Sequence, residues 1–248
     1  MKIFLTTVVL CFFFCYVPAQ TMEVHYTVTT PKEMPLDDGK IKIYMLEYEG
    51  LIYQSGNKVI NWLAPNYLME YPTGQITMQT EAGYSVMTLN MDSIQNVNLY
   101  HTDSLQYWYF NHTSENLSLN QYFTIKYKPG DMNWKLLPET KTINGLLCHH
   151  AVKYNGDAIT VLYDIWYYPD VAMGFGLMNL RDAPGLVVEC TAPIHNMSYS
   201  LKYFKNGEPV NDAVFWPAIF NKVKFEDYTR RKVISEKDKK KSDIMNQQ

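Results

Sequence analysis

KTINGLLCHHAVKYNGDAITVLYDIWYYPDVAMGFGLMNLRDAPGLVVE, residues 141–189, holds the signals that decide the fold. Two extended apolar runs meet at Asn155-Gly156, a two-residue hairpin signal. An aromatic segment follows, Trp166-Tyr167-Tyr168-Pro169, then a Gly-rich connector. Pro184-Gly185 opens another apolar strand, Leu186-Val187-Val188. Pro lacks an N–H and suits a strand entrance, while Gly permits positive φ or a close backbone approach. A run apolar on both sides reads as a strand buried on both faces. Residues 173–184 are then either a turn into that strand or a loop lining a ligand mouth.

The rest of the chain repeats this β pattern. Met22, Val24, Tyr26 and Val28 alternate with polar residues, and Ile41, Ile43 and Met45 continue the alternation after a turn at Asp37-Asp38-Gly39. Further extended candidates lie at 75–79, 84–89, 95–101, 106–110, 121–127 and 134–137. In 197–204, Tyr199, Leu201 and Tyr203 fall on one face, before a turn at Asn206-Gly207. Turn signals recur every ten or so residues. Helix is expected in two places: residues 51–63, where the period is unclear, and the charged end from about Phe225. The expected fold is mainly β: one large curved antiparallel sheet or half-barrel, with a short covering helix and a charged C-terminal helix or tail.

The N-terminus reads as an export signal. Lys2 is the basic region, residues 3–15 are apolar, and Val17-Pro18-Ala19 supplies small residues for cleavage before Gln20. Cys11 and Cys15 follow Leu10 and Phe14, which does not fit a lipid-modified cysteine. No stretch is long and apolar enough for a transmembrane segment. The division is a signal peptide at 1–19, a β-rich domain at 20–225 and a basic helix or tail at 226–248. The whole chain carries a formal charge of −3, which argues against a nucleic-acid partner. Cys148 and Cys190 are the only cysteines past the signal. An oxidising compartment makes them a disulfide candidate, with two buried thiols as the alternative.

Several of these residues resemble the GLPGLI family of exported proteins from Bacteroidota-type bacteria. The family order is matched by Trp134, Lys141, Ile143, Gly145, Cys148, Ala151, Trp166, Tyr167 and Gly174. The namesake hexapeptide stands here as Asp182-Ala183-Pro184-Gly185-Leu186-Val187, with Asp182 where the family has its leading Gly. The resemblance implies an exported protein, periplasmic or secreted, and implies no reaction.

No catalytic motif is present: there is no G-x-S-x-G elbow, no H-E-x-x-H and no phosphate-cradling Gly loop. No cofactor is expected. A copper- or zinc-binding periplasmic protein is one alternative, with Cys148, His150, Cys190 and His195 as ligands. An uncharacterised hydrolase is another. The remaining signal is aromatic: 20 Tyr, 5 Trp and 11 Phe, with clusters at 107–110 and 166–168. Neighbouring residues on a strand face opposite ways, so such clusters cannot all be core on a one-sided sheet. Trp134, Trp166, Tyr167, Pro184 and Gly185 are the candidate binding residues. The expected function is a non-enzymatic binding protein for an apolar or peptide ligand, or for an envelope protein.

Overall fold

The computed structural model describes residues 21–36, 39–81, 83–111, 121–216 and 224–227, with side chains described outside 108–124 and 224–227. The expected export signal and most of the basic end lie outside these residues.

In chain order the elements are β1 (Thr21–Pro35), β2 (Ile41–Ser55), β3 (Lys58–Pro65), α1 (Tyr67–Glu70), β4 (Gln75–Thr80), β5 (Gly83–Thr88), β6 (Gln95–His101), β7 (Gln106–Asn111), β8 (Gln121–Lys126), β9 (Lys135–Ile143), β10 (Leu146–Tyr154), β11 (Val161–Tyr168), β12 (Leu186–Ala192), β13 (Met197–Asn206) and β14 (Lys224–Asp227). Among the described residues twelve strands form one open sheet in the order β14-β8-β7-β6-β3-β2-β1-β13-β12-β11-β10-β9, and β4 and β5 form a separate pair. All neighbours in the large sheet are antiparallel except β14, which runs parallel to β8. The expected mainly-β fold is what the chain adopts.

Residues 51–63 are not helical. They are the end of β2, a two-residue loop and β3. Gly56 in that loop takes φ +56°, the conformation a tight hairpin demands. The period is unreadable because both faces are buried. Ile52, Val59 and Leu63 enter the main core, while Ile60 belongs to a cluster on the other face with Val97, Leu99 and Phe215. The expected helix from Phe225 is also corrected at its start, because Lys224–Asp227 is a strand.

The hairpin of β10 and β11 exists, but Asn155-Gly156 is not its two-residue turn. Tyr154 pairs with Val161, so residues 155–160 form a longer loop. Asp157 holds that loop, accepting from the backbone of Ile159 and Thr160 at 3.0 and 2.9 Å. The tight turn lies one strand earlier. Asn144-Gly145 joins β9 to β10 with φ of +50° and +81°, the two left-handed residues of a type I′ turn.

One face of the sheet, the inner face, is covered by the connection between β11 and β12, residues 169–185. Met173 and Leu180 are 0% exposed and Leu177 is 1% exposed. Gly50 makes room for this cover: a Cβ there would lie 2.4 Å from the Leu177 side chain. The short helix α1 covers elsewhere. Its Tyr67 packs with Met34, Leu46, Ile76, Met87 and Leu89 between the β1–β2 hairpin and the small sheet.

Tyr203 does not share a face with Tyr199 and Leu201. In the β1–β13 ladder His25 pairs with Tyr203 and Tyr26 with Leu201, so Lys202 is bulged out. A single extra residue flips everything beyond it to the opposite face. Tyr203 stacks on His25 on the outer face, centroids 4.3 Å apart.

Gly185 is required by close approach: a Cβ there would stand 2.4 Å from the Tyr168 carbonyl oxygen. Because that neighbour is backbone, Gly185→Ala should destabilise by about 2 kcal/mol or more, measured by urea denaturation; an unchanged midpoint would refute the tight strand entrance.

Candidate functional site

The cover on the inner face brings its own peptide groups into an apolar interior, and the sheet supplies partners for them. Asn61, 0% exposed, donates from Nδ2 to the Gly176 carbonyl at 2.9 Å. Asn98 in turn donates to Asn61 Oδ1 at 3.0 Å. Tyr163 donates to the Met178 carbonyl at 2.5 Å. Tyr26 donates to the Val187 carbonyl, just past the cover, at 2.9 Å. Trp134, a candidate binding residue, donates from Nε1 to the Arg181 carbonyl at 2.9 Å. Arg181 lies 5.2 Å from each of the Tyr107 and Tyr127 rings, and its Nη2 lies 3.3 Å from both Asp131 oxygens. Residues 173–184 therefore pack into the sheet instead of rimming an opening.

The other candidate binding residues do not converge. Tyr167 is buried on the inner face. Pro184 is exposed and Gly185 buried at the entrance of β12. Trp166 lies on the outer face, where His150 stacks on it at 4.5 Å and 7° and the Lys141 ammonium stands 4.3 Å from its centroid. Lys141 also pairs with Glu189 at 2.6 Å. His150 Nε2 is 2.8 Å from Asp164, and Nδ1 is 3.7 Å from Glu139.

A matching cluster elsewhere on the outer face was missed by sequence reasoning. His25, 7% exposed, has Nε2 at 2.7 Å from Glu23 and Nδ1 at 3.0 Å from Glu49, under the stacked Tyr203 ring. Lys202 adds a contact of 3.3 Å to Glu49. The hydrogen bond from His25, helped by Lys202, holds the Glu49 carboxyl below its usual range. The signal was present as Glu23-x-His25 on an alternating strand, which puts both side chains on one face. Between the two clusters lies a shallow depression of about 240 Å³ with a hydroxyl floor of Thr27, Thr29, Thr191, Ser198 and Ser200 beside Glu189.

The expected disulfide is not formed: Cys148 and Cys190 are both free and buried. The register explains this. Cys148 pairs with Lys141, on the outer face, while Cys190 pairs with Tyr199, on the inner face. Strand β11 lies between them, with Cys190 opposite Ile165 and Ile165 opposite Ala151. Two strand spacings alone come to roughly 9.5 Å, beyond the ~7 Å a disulfide spans between Cα atoms. The same geometry separates the proposed metal ligands. His150 faces outward with Cys148, while His195 contacts the Tyr163 hydroxyl at 3.2 Å. No group of three or more potential ligands converges among the described residues.

Among the described residues no helix is long and apolar enough to cross a membrane. No protein-family model and no curated protein matches the sequence. Solved structures of PNGF-II, in C2 and P21 crystal forms, share the fold at a TM-score of 0.50, with 18% and 17% identity over 86% of this chain. The chain spans only 32% of the PNGF-II chain. A domain described as an outer membrane lipoprotein-sorting protein from Vibrio parahaemolyticus aligns over 82% of this chain and 91% of its own, at 6% identity and a TM-score of 0.30, too low to carry an argument.

Burial raises the Cys148 thiol and pushes Cys190 up to about 12. Native protein should resist iodoacetamide, and denatured protein should take up label at both cysteines without prior reduction; an unlabelled pair would show a bridge.

Burial also raises the hydroxyls of Tyr26, Tyr100, Tyr163 and Tyr199. These acids ionise more readily when unfolded. Their stabilising effect is complete below the unfolded values, about 8.5 for Cys and 10 for Tyr, and is lost as pH rises toward the folded ones. Urea midpoints should fall between pH 8 and pH 10.5; a flat profile would contradict the burial of these groups.

Proposed function

We propose that this protein is a non-catalytic binding module of the bacterial cell envelope that engages a macromolecular partner through its outer surface and edges. One observation carries the reading. The inner face, where a curved sheet would hold an apolar ligand, is occupied by the protein's own residues 169–185, with Met173, Leu177 and Leu180 driven into it. A ligand on that face would have to displace a cover fixed by hydrogen bonds from Asn61, Tyr163 and Trp134.

The two histidines best provided with acid–base partners support a structural role for themselves. Both ring nitrogens of His25 and of His150 face carboxylates, and an aromatic ring covers a face of each. The likeness of fold to one part of the longer PNGF-II chain is in keeping with a module that works beside something else.

Membership of the GLPGLI family, and with it export to the envelope, belongs to the same proposal. The residue standing where that family has its leading Gly, Asp182, takes φ +53°, a left-handed position that glycine adopts most cheaply and Asp tolerates. That is a physical reason for a glycine there.

Two measurements test the function. Native mass spectrometry of protein purified from its own envelope should give the bare polypeptide mass. Photo-crosslinking from outer-face positions such as Thr191 should give discrete protein adducts. A stoichiometric lipid-like passenger without protein adducts would refute the reading in favour of apolar-ligand carriage.

A further inference from the structure

The β1–β2 hairpin is longer than the sheet it belongs to. β1 pairs with β13 only as far as Thr29, and β2 pairs with β3 only from Tyr48 onward. Beyond those points the two strands pair only with each other, from Thr30↔Leu46 to Pro35↔Ile41. The hairpin therefore projects as an arm. Tyr44 and Leu46 turn one face of the arm onto the small sheet. Ile41, Ile43 and Met45, which continue the alternation of the sequence, form the open face, 60%, 59% and 62% exposed.

Among the described residues the arm also has two unpaired backbone edges, and they differ. The β1 edge carries Pro31 and Pro35, which lack the N–H a new strand would need. The outer edge strand β9 carries Pro138 and an irregular register opposite His149 and Ala151. β14, at the other end of the sheet, is the short run Lys-Phe-Glu-Asp. The β2 edge over residues 41–46, Ile-Lys-Ile-Tyr-Met-Leu, has no Pro and no bulge, and nothing among the described residues pairs with it. Proteins normally blunt such an edge, because a row of unpaired N–H and C=O groups beside apolar side chains is a template for another strand.

We propose that the β2 edge at residues 41–46 is a docking site for an extended segment of a partner protein, which adds as a strand beside β2. This deepens the partner-binding reading above and rests on it. Main-chain hydrogen bonds supply the affinity, and alternate side chains supply the selectivity. The open face sets the chemistry of the incoming strand. Ile41, Ile43 and Met45 call for apolar residues at alternate positions. Glu33 pairs with Ile43 on this face, and Glu47 continues it beyond Met45, so Lys or Arg on the partner is favoured. A second copy of this chain fits less well. The three open side chains offer on the order of 300 Å² of apolar surface, against the ~800 Å² per partner of a standard interface. Self-pairing would also set the same acidic face beside itself.

The probe is a fluorescein-labelled peptide of alternating Val and Thr with a Lys at each end, titrated by anisotropy and followed by amide hydrogen exchange. Saturable binding is expected, with new protection confined to residues 41–46. Ile43→Lys should weaken binding roughly tenfold or more, and Tyr84→Lys, on the exposed side of the small sheet, should leave it unchanged. Both positions are solvent-facing, so the fold is kept and circular dichroism verifies it. No binding, or protection at β5 or β9 instead, would overturn the assignment. Protection of 41–46 that grows with protein concentration without peptide would replace the partner with a second copy. Envelope crosslinks that persist in Ile43→Lys would sink the edge while leaving the wider reading standing; crosslinks absent from every outer position would sink both.

Discussion

A polypeptide loop laid against a sheet carries N–H and C=O groups into an apolar interior, and each of them needs a partner there. That requirement shapes the rest of this molecule. The covering segment is held by tyrosine, tryptophan and asparagine side chains that reach from the strands to its carbonyls. Tyr163 meets Met178, Trp134 meets Arg181, and the buried pair Asn98–Asn61 meets Gly176. An aromatic hydroxyl brings apolar bulk and one donor in the same side chain. Tyr163 and Tyr100 put that combination to use in tying cover to sheet. Gly50 and Gly176 complete the fit by omission, since a Cβ at either would strike Leu177 or Tyr199.

What a sequence can show about such a protein depends on whether its strands have one wet face. Met22, Val24, Tyr26 and Val28 alternate cleanly, and the structure buries all four. Residues 51–63 lie where both faces are covered, so the period of two disappears and the segment resembles nothing in particular. Tyr203 shows a second limit. A one-residue bulge at Lys202 reverses the facing of the strand beyond it, and no composition rule announces a bulge. Two of the three Asn-Gly pairs, Asn144-Gly145 and Asn155-Gly156, show a third. Both are turn signals, but only Asn144-Gly145 is followed at once by the partner strand, while Asp157 captures the backbone after Asn155-Gly156.

The candidate site was less legible than the fold. The cysteines are neighbours in a list of residue types and strangers in space, because which strand lies between two others is a property of topology. Cys148 and Cys190 flank β11 and face opposite ways. His25 was overlooked for the opposite reason: Glu23 lies on its own strand but Glu49 on the next, so the cluster is complete only once β1 and β2 are paired. The open side of the hairpin arm was readable as an alternation but not as a direction, since alternation says which residues share a face and not which face meets the core.

The position of β1 governs when the sheet can be finished. It lies between β2, its immediate successor, and β13, whose residues 198–206 pair with the first residues of the strand. β1 is therefore a middle strand, and one of its two edges stays bare until residues 198–206 exist. Closing contacts of this separation costs entropy early and returns it late, which makes folding slow. The late arrival of β13 is therefore the step that commits the molecule to its folded shape: until then the early strands can pair, part and pair again without consequence.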